Sequence, residues 1–185
     1  DFIAETEVFI DKLIRKTKGH CFLLFTSYSM LNYLYNKLEK YYNKKDYTLL
    51  KQGDYSRNEM IEIFRNAKNP ILFGTDSFWE GVDVQGEQLK SVIIVKLPFK
   101  VPDDPVTEAI IEHIRENKGN PQAVINFKQG IGRLIGSKSD TGIITILDNR
   151  VITKYYGRKF LNSLPKTNII VDSKENIIEI IWASS

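Results

Sequence analysis

The sequence is short of most residues that build a self-contained catalytic centre. Its 185 residues include one cysteine, Cys21, and two histidines, His20 and His113. A single cysteine forms neither an intrachain disulfide nor a thiolate cluster, which fits a reducing cytoplasm, and its place in the apolar run CFLLF reads as a small buried hydrophobe. The two histidines are far apart in sequence and leave no zinc-site spacing. No GxxxxGK[ST] loop is present to cradle a triphosphate, no run of adjacent acidic residues directly follows an apolar strand to hold magnesium, and no GxSxG elbow occurs. A self-sufficient NTPase, metallohydrolase or serine hydrolase is therefore not expected. No apolar run approaches the roughly 18 residues of a membrane span, so no membrane partner is expected, and no signal-peptide pattern opens the chain. Charge of one sign is also scarce. The 26 Lys+Arg against 23 Asp+Glu leave +3, compatible with nucleic acid but no argument for it.

What is present describes one ordinary folded domain. With 42% hydrophobic and 26% charged residues, the chain can bury a central sheet and its covering helices. Residues 1–185 are expected to form a single domain. Its opening, Asp1 to Ile14, reads as an amphipathic helix entered in mid-chain, as in a piece of a larger protein. Short apolar runs then alternate with helical patterns. Residues 21–26 (CFLLFT) have strand length, and Tyr28 to Tyr41 places Leu31, Leu34, Tyr35 and Leu38 at helical spacing. Tyr47 to Leu50 is a second strand. Ser56 with Glu59 three residues later is a capping box, starting a helix that turns Met60, Ile61 and Phe64 inward. Further strands are expected at Ile71–Phe73, Ser91–Val95, Gly142–Leu147 and Asn168–Val171, with helices over about 105–117, 122–136 and 150–162. Strands apolar throughout imply a sheet buried on both faces, hence an open, mostly parallel α/β sheet with helices on both sides. Ligands of such folds gather beyond the carboxyl ends of the strands.

Three segments fall there. Thr26-Ser27-Tyr28 places hydroxyls at a strand-to-helix turn. Ser27 or Ser29 is an N-cap on one reading; on the other, these hydroxyls and amides hold a nucleic-acid phosphate. Gly74 to Asp83 (GTDSFWEGVD) crowds hydroxyls, two aromatics and three carboxylates into ten residues. Backbone approach to a ligand suits Gly74 and Gly81, whereas a tight acidic turn with Trp79 as a lid over the core is the alternative. Gln129 and Arg133, four apart, share a helix face away from Ile131, Leu134 and Ile135. An amide and a guanidinium so placed suit a polyphosphate, and a surface arginine paired with a carboxylate is the alternative. Glycines inside that helix cost about 1 kcal/mol each relative to alanine, which suggests a close approach there.

In order and spacing, FTSY, GTDSFWEGVDVQGEQLKSVIIVKLPF and FKQGIGRLIGSKSDTGIITILDNRV resemble motifs IV, V and VI of the DinG/XPD branch of superfamily-two helicases, most of all its bacterial DinG-like members. The resemblance covers nearly the whole chain. It implies a RecA-like second motor lobe, of the P-loop NTPase type but without a Walker A loop. ATP and Mg2+ would be held mainly by a first RecA-like lobe of the same polypeptide. This lobe would add Gly81, Asp83 and the nearby Glu80, together with Gln129 and Arg133, the last similar to an arginine finger. Thr26, Ser27 and Thr75 would face single-stranded DNA, with Trp79 or Phe78 stacking on bases. The chain departs from the family where Gly136 replaces a second motif VI arginine, and in the short junction Gly119-Asn120-Pro121-Gln122. The Gly136 departure adds weight to another activity, because some relatives resemble fusions with a 3′–5′ exonuclease whose helicase lobes chiefly bind DNA and nucleotide. A partner-binding domain that kept the fold without the chemistry is the third expectation.

Overall fold

The computed structural model describes residues 2–43, 46–75, 78, 89–97, 142–154, 157–158, 161–162, 168–172 and 177–182. Helix α1 (Phe2–Thr17) leads into β1 (Cys21–Phe25), α2 (Tyr28–Tyr42), β2 (Thr48–Lys51), α3 (Arg57–Asn66), β3 (Pro70–Thr75) and β4 (Ser91–Ile94). Strand β5 (Gly142–Ile146), the short α4 (Arg150–Thr153), β6 (Asn168–Asp172) and β7 (Ile177–Trp182) follow. The strands form one sheet in the order β2-β3-β1-β4-β5-β7-β6. The first five are parallel, whereas β7 runs antiparallel to both β5 and β6. A mostly parallel α/β sheet is thus what the chain builds.

Alternate residues of each central strand enter two separate cores. Phe22 and Leu24 of β1, Leu72 of β3 and Val92 and Ile94 of β4 pack with Met60, Ile61 and Phe64 of α3 and Val151 of α4. On the opposite face Cys21, Leu23, Phe25, Ile71, Phe73 and Ile93 meet Ile10, Leu13 and Ile14 of α1 and Leu31, Leu34, Tyr35, Leu38 and Tyr42 of α2. Burying each such aliphatic or aromatic side chain contributes roughly 1.5–3 kcal/mol, so the faces hold most of the fold's driving force. Cys21 is fully buried and forms no disulfide, its Sγ donating to the Gly19 carbonyl at 3.0 Å, and burial pushes its thiol up to about 12.

Local signals set the helix ends. Ser56 and Glu59 form the expected capping box, the Glu59 amide donating to Ser56 Oγ and the Ser56 amide to Glu59 Oε2. Ser27 caps α2, its Oγ accepting from the Met30 amide at 3.3 Å. Behind α1, Gly19 adopts φ +76°, and a Cβ there would lie 2.6 Å from the Asn69 backbone.

Two expectations are corrected. The helix over 150–162 is broken, because Lys154 is extended (φ −104°, ψ 146°) before helical geometry returns at Gly157. A Cβ on Gly157 would sit 2.4 Å from Val151 Cα and Arg150 O, so the chain folds back onto α4 where only glycine fits. In addition, β7 extends the sheet beyond the six expected strands. The expected helices over 105–117 and 122–136 lie outside the described residues.

Candidate functional site

Because β1 to β5 are parallel, their carboxyl ends share one edge of the sheet. Thr26 and Ser27 follow β1, Gln52 follows β2, Thr75 ends β3, Leu97 lies just past β4 and Asp148 just past β5. Two polar clusters organise this edge.

The first joins three segments through one side chain, Gln52. Its Oε1 accepts from the Thr75 amide at 2.6 Å and from Thr75 Oγ1 at 3.0 Å, and its Nε2 donates to the Tyr28 hydroxyl at 2.9 Å. The Gln52 amide also donates to the Phe73 carbonyl. A backbone N–H can only donate, so Thr75 fixes which end of the Gln52 amide faces it. Thr75 is only 4% exposed whereas Tyr28 is 54% exposed, so the cluster runs from the sheet interior to the surface. Around it, Lys51 Nζ lies 4.8 Å from the Tyr35 ring centre and the Arg57 guanidinium 5.7 Å from that of Phe78. Burial first, then the Glu39 and Asp54 carboxylates, push the Tyr35 hydroxyl up to about 12, which keeps it protonated at neutral pH.

The second cluster is charged. Asp148 Oδ2 accepts from the Leu97 amide at 3.0 Å, and Arg150 Nη2 donates to the Leu97 carbonyl at 3.0 Å. Between them, Arg150 Nε donates to both Asp148 oxygens at 2.9 Å, and the Arg150 amide donates to Oδ1 at 3.1 Å. Burial is the largest single influence on the Asp148 carboxyl and pushes it up. The hydrogen bonds from Arg150 and the Leu97 amide, with the Arg150 charge, outweigh it and leave the carboxyl below the usual carboxylate range. The clamp fixes the backbone at Leu97, three residues past β4.

Of the sequence-derived candidates, Thr26 and Ser27 are exposed on this edge and Thr75 is buried beneath it. Thr75 reaches Tyr28, the neighbour of Ser27, through Gln52 rather than directly. Ser27 performs the capping role, and Ser29 Oγ lies 3.3 Å from its hydroxyl. Phe78 is 4% exposed and belongs to the core, so it is removed as a stacking residue. Gly74 packs close to that ring, where a Cβ would meet Phe78 at 3.4 Å. Trp79, Glu80, Gly81, Asp83, Gln129 and Arg133 lie outside the described residues, as does Gly136. Gln52, Asp148 and Arg150 were missed by motif reading. Their signal is positional, each standing one to four residues past the end of a parallel strand.

Comparison with known proteins follows the same lines. Residues 10–167 match the family described as helicase C-terminal domain. The chain is 43% identical over 164 residues to the ATP-dependent DNA helicase YoaA of Haemophilus influenzae, covering 84% of this chain and 25% of the relative. It is 39% identical over 178 residues to the 3′-5′ exonuclease DinG of Bacillus subtilis, covering 91% of this chain and 19% of the relative. Against the ATP-dependent DNA helicase DinG of Photobacterium profundum, identity is 38% over 161 residues, 81% of this chain and 23% of the relative. The chain therefore spans a quarter or less of the length of these curated relatives. A mostly parallel sheet with hydroxyls on its carboxyl edge, a family match over most of the residues and relatives named DinG and YoaA lead to one statement: the chain belongs to the helicase C-terminal domain family.

Proposed function

We propose that this chain is the second RecA-like lobe of an ATP-dependent DNA helicase of the DinG type, with all 185 residues forming one domain of a longer cytoplasmic polypeptide. The observation that carries the reading is the family match over residues 10–167. The parallel sheet supports it by gathering Thr26, Ser27 and Thr75 at one edge. In this reading a first lobe of the same polypeptide holds most of ATP and Mg2+. Gly81, Asp83 and Glu80 approach the nucleotide from this lobe, with Gln129 and Arg133. Arginine suits that role because its planar donors match phosphoryl oxygens and stay charged at any working pH. Thr26, Ser27 and Trp79 contact single-stranded DNA, Thr75 supporting them from below. The reading assigns no metal ligand to this lobe.

The relative named a 3′-5′ exonuclease supplies the alternative, a lobe that binds nucleotide and DNA without unwinding. One experiment separates the two. The full-length polypeptide is incubated with a partial duplex and Mg2+, with and without ATP. ATP-dependent release of the displaced strand is the expected outcome. Loss of 3′ nucleotides with no ATP-driven strand separation would replace the helicase reading with the alternative.

A further inference from the structure

The hydrogen bonds through Gln52 have a direction, and the direction ends at a donor. The Thr75 amide can only give a proton, so Gln52 must present its carbonyl oxygen there. Its Nε2 then necessarily faces the Tyr28 hydroxyl, 2.9 Å away. An amide nitrogen cannot accept, so the Tyr28 oxygen is the acceptor of that bond and its own proton is turned elsewhere. With the Tyr28 residue 54% exposed, that proton is available to a ligand arriving from solvent.

From this polarity we infer that Tyr28 is a nucleic-acid phosphate donor, preset by Gln52 as its positioning residue. The inference deepens the proposed function and rests on single-stranded DNA lying across this edge. The ligand chemistry follows from the donor. A hydroxyl whose lone pair is already engaged favours an acceptor-only partner, and a phosphodiester oxygen is an acceptor with charge to strengthen the bond. Gln52 contributes by orientation. A glutamate at that position would still accept from Thr75 but could only accept from Tyr28 as well, turning the hydroxyl proton inward. Neither residue reads a base, so the contact serves every sequence equally.

The test is fluorescence anisotropy of the full-length protein with a labelled oligothymidylate of about 20 nucleotides, a length that exceeds common single-strand site sizes. Tyr28→Phe keeps the ring and removes only the donor. Its affinity should fall about tenfold, the scale of one hydrogen bond to a charged group, with the same factor on a mixed-sequence oligonucleotide. Gln52→Glu should weaken binding more than Tyr28→Phe, and adding it to Tyr28→Phe should cost less than it does in the wild type. A purely structural role for Tyr28 would shift the unfolding midpoint instead, and that midpoint is measured alongside. Wild-type binding with Tyr28→Phe inside about twofold overturns the inference and leaves the proposed function standing. Absence of wild-type binding overturns both.

Discussion

The two clusters on the carboxyl edge solve the same problem with opposite materials. On the β2-β3-β1 side, neutral groups pass a hydrogen bond from buried Thr75 through Gln52 to exposed Tyr28. On the β4-β5 side, a carboxylate with a side chain 6% exposed and a guanidinium 24% exposed grip both backbone groups of Leu97. A neutral relay is inexpensive to desolvate and keeps one end wet, which suits a surface that must meet a ligand. A buried ion pair costs far more to desolvate and earns its place only when every bond is made, which suits a fixed anchor. The first cluster therefore reads as presentation and the second as a fixed anchor for the Leu97 backbone.

Breaking the anchor should have the largest effect on stability. Arg150→Ala leaves the Asp148 carboxylate buried without its counter-charge and should cost about 3 kcal/mol in urea unfolding. The pH dependence sharpens the point. Because Asp148 sits below the usual carboxylate range when folded, its contribution is complete above the unfolded carboxyl value. It is lost as pH falls through the lowered folded value. Asp148→Asn should flatten that acid limb, and parallel limbs for variant and wild type would count against the clamp.

A smaller loss is expected at the relay. Gln52→Leu removes the acceptor shared by the Thr75 amide and hydroxyl and should cost about 1–2 kcal/mol by the same unfolding assay. Equal losses at Arg150 and Gln52 would erase the contrast between the two sides.

The smallest effects separate two caps of identical local chemistry. Ser27 and Ser56 each accept from a backbone amide at 3.3 Å, and each change to alanine should cost about 1 kcal/mol. Only Ser27→Ala should also weaken oligothymidylate binding, since Ser27 is among the residues proposed to contact the DNA and Ser56 is not. If both variants bind DNA as the wild type does, Ser27 is a cap and nothing more.

Much of the fold was legible because each signal was local. The apolar run around Cys21 announced a strand buried on both faces, and Ser56 with Glu59 announced a helix start. What was not legible depended on approach in space. Gly157 carries no local sign of its role, which lies in the close approach of Val151 and Arg150. The strand Ile177–Trp182 escaped because Glu179 interrupts its apolar run. Yet the four residues between β6 and β7 are far too few for a crossover and require an antiparallel pair. For the site, hydroxyls at strand ends were readable from sequence. Gln52, Asp148 and Arg150 were not, because the Thr75 and Leu97 groups they hold lie 23 to 53 positions away along the chain.

The most direct measurement concerns Arg133, whose charge the motor reading sends to a nucleotide held by another lobe. Single-turnover ATP hydrolysis by the full-length protein, with single-stranded DNA present, is compared between wild type and Arg133→Ala. A fall of about 10³-fold with an unchanged unfolding midpoint is expected if Arg133 stabilises the transferring phosphoryl group. Hydrolysis within about twofold of wild type would contradict that role.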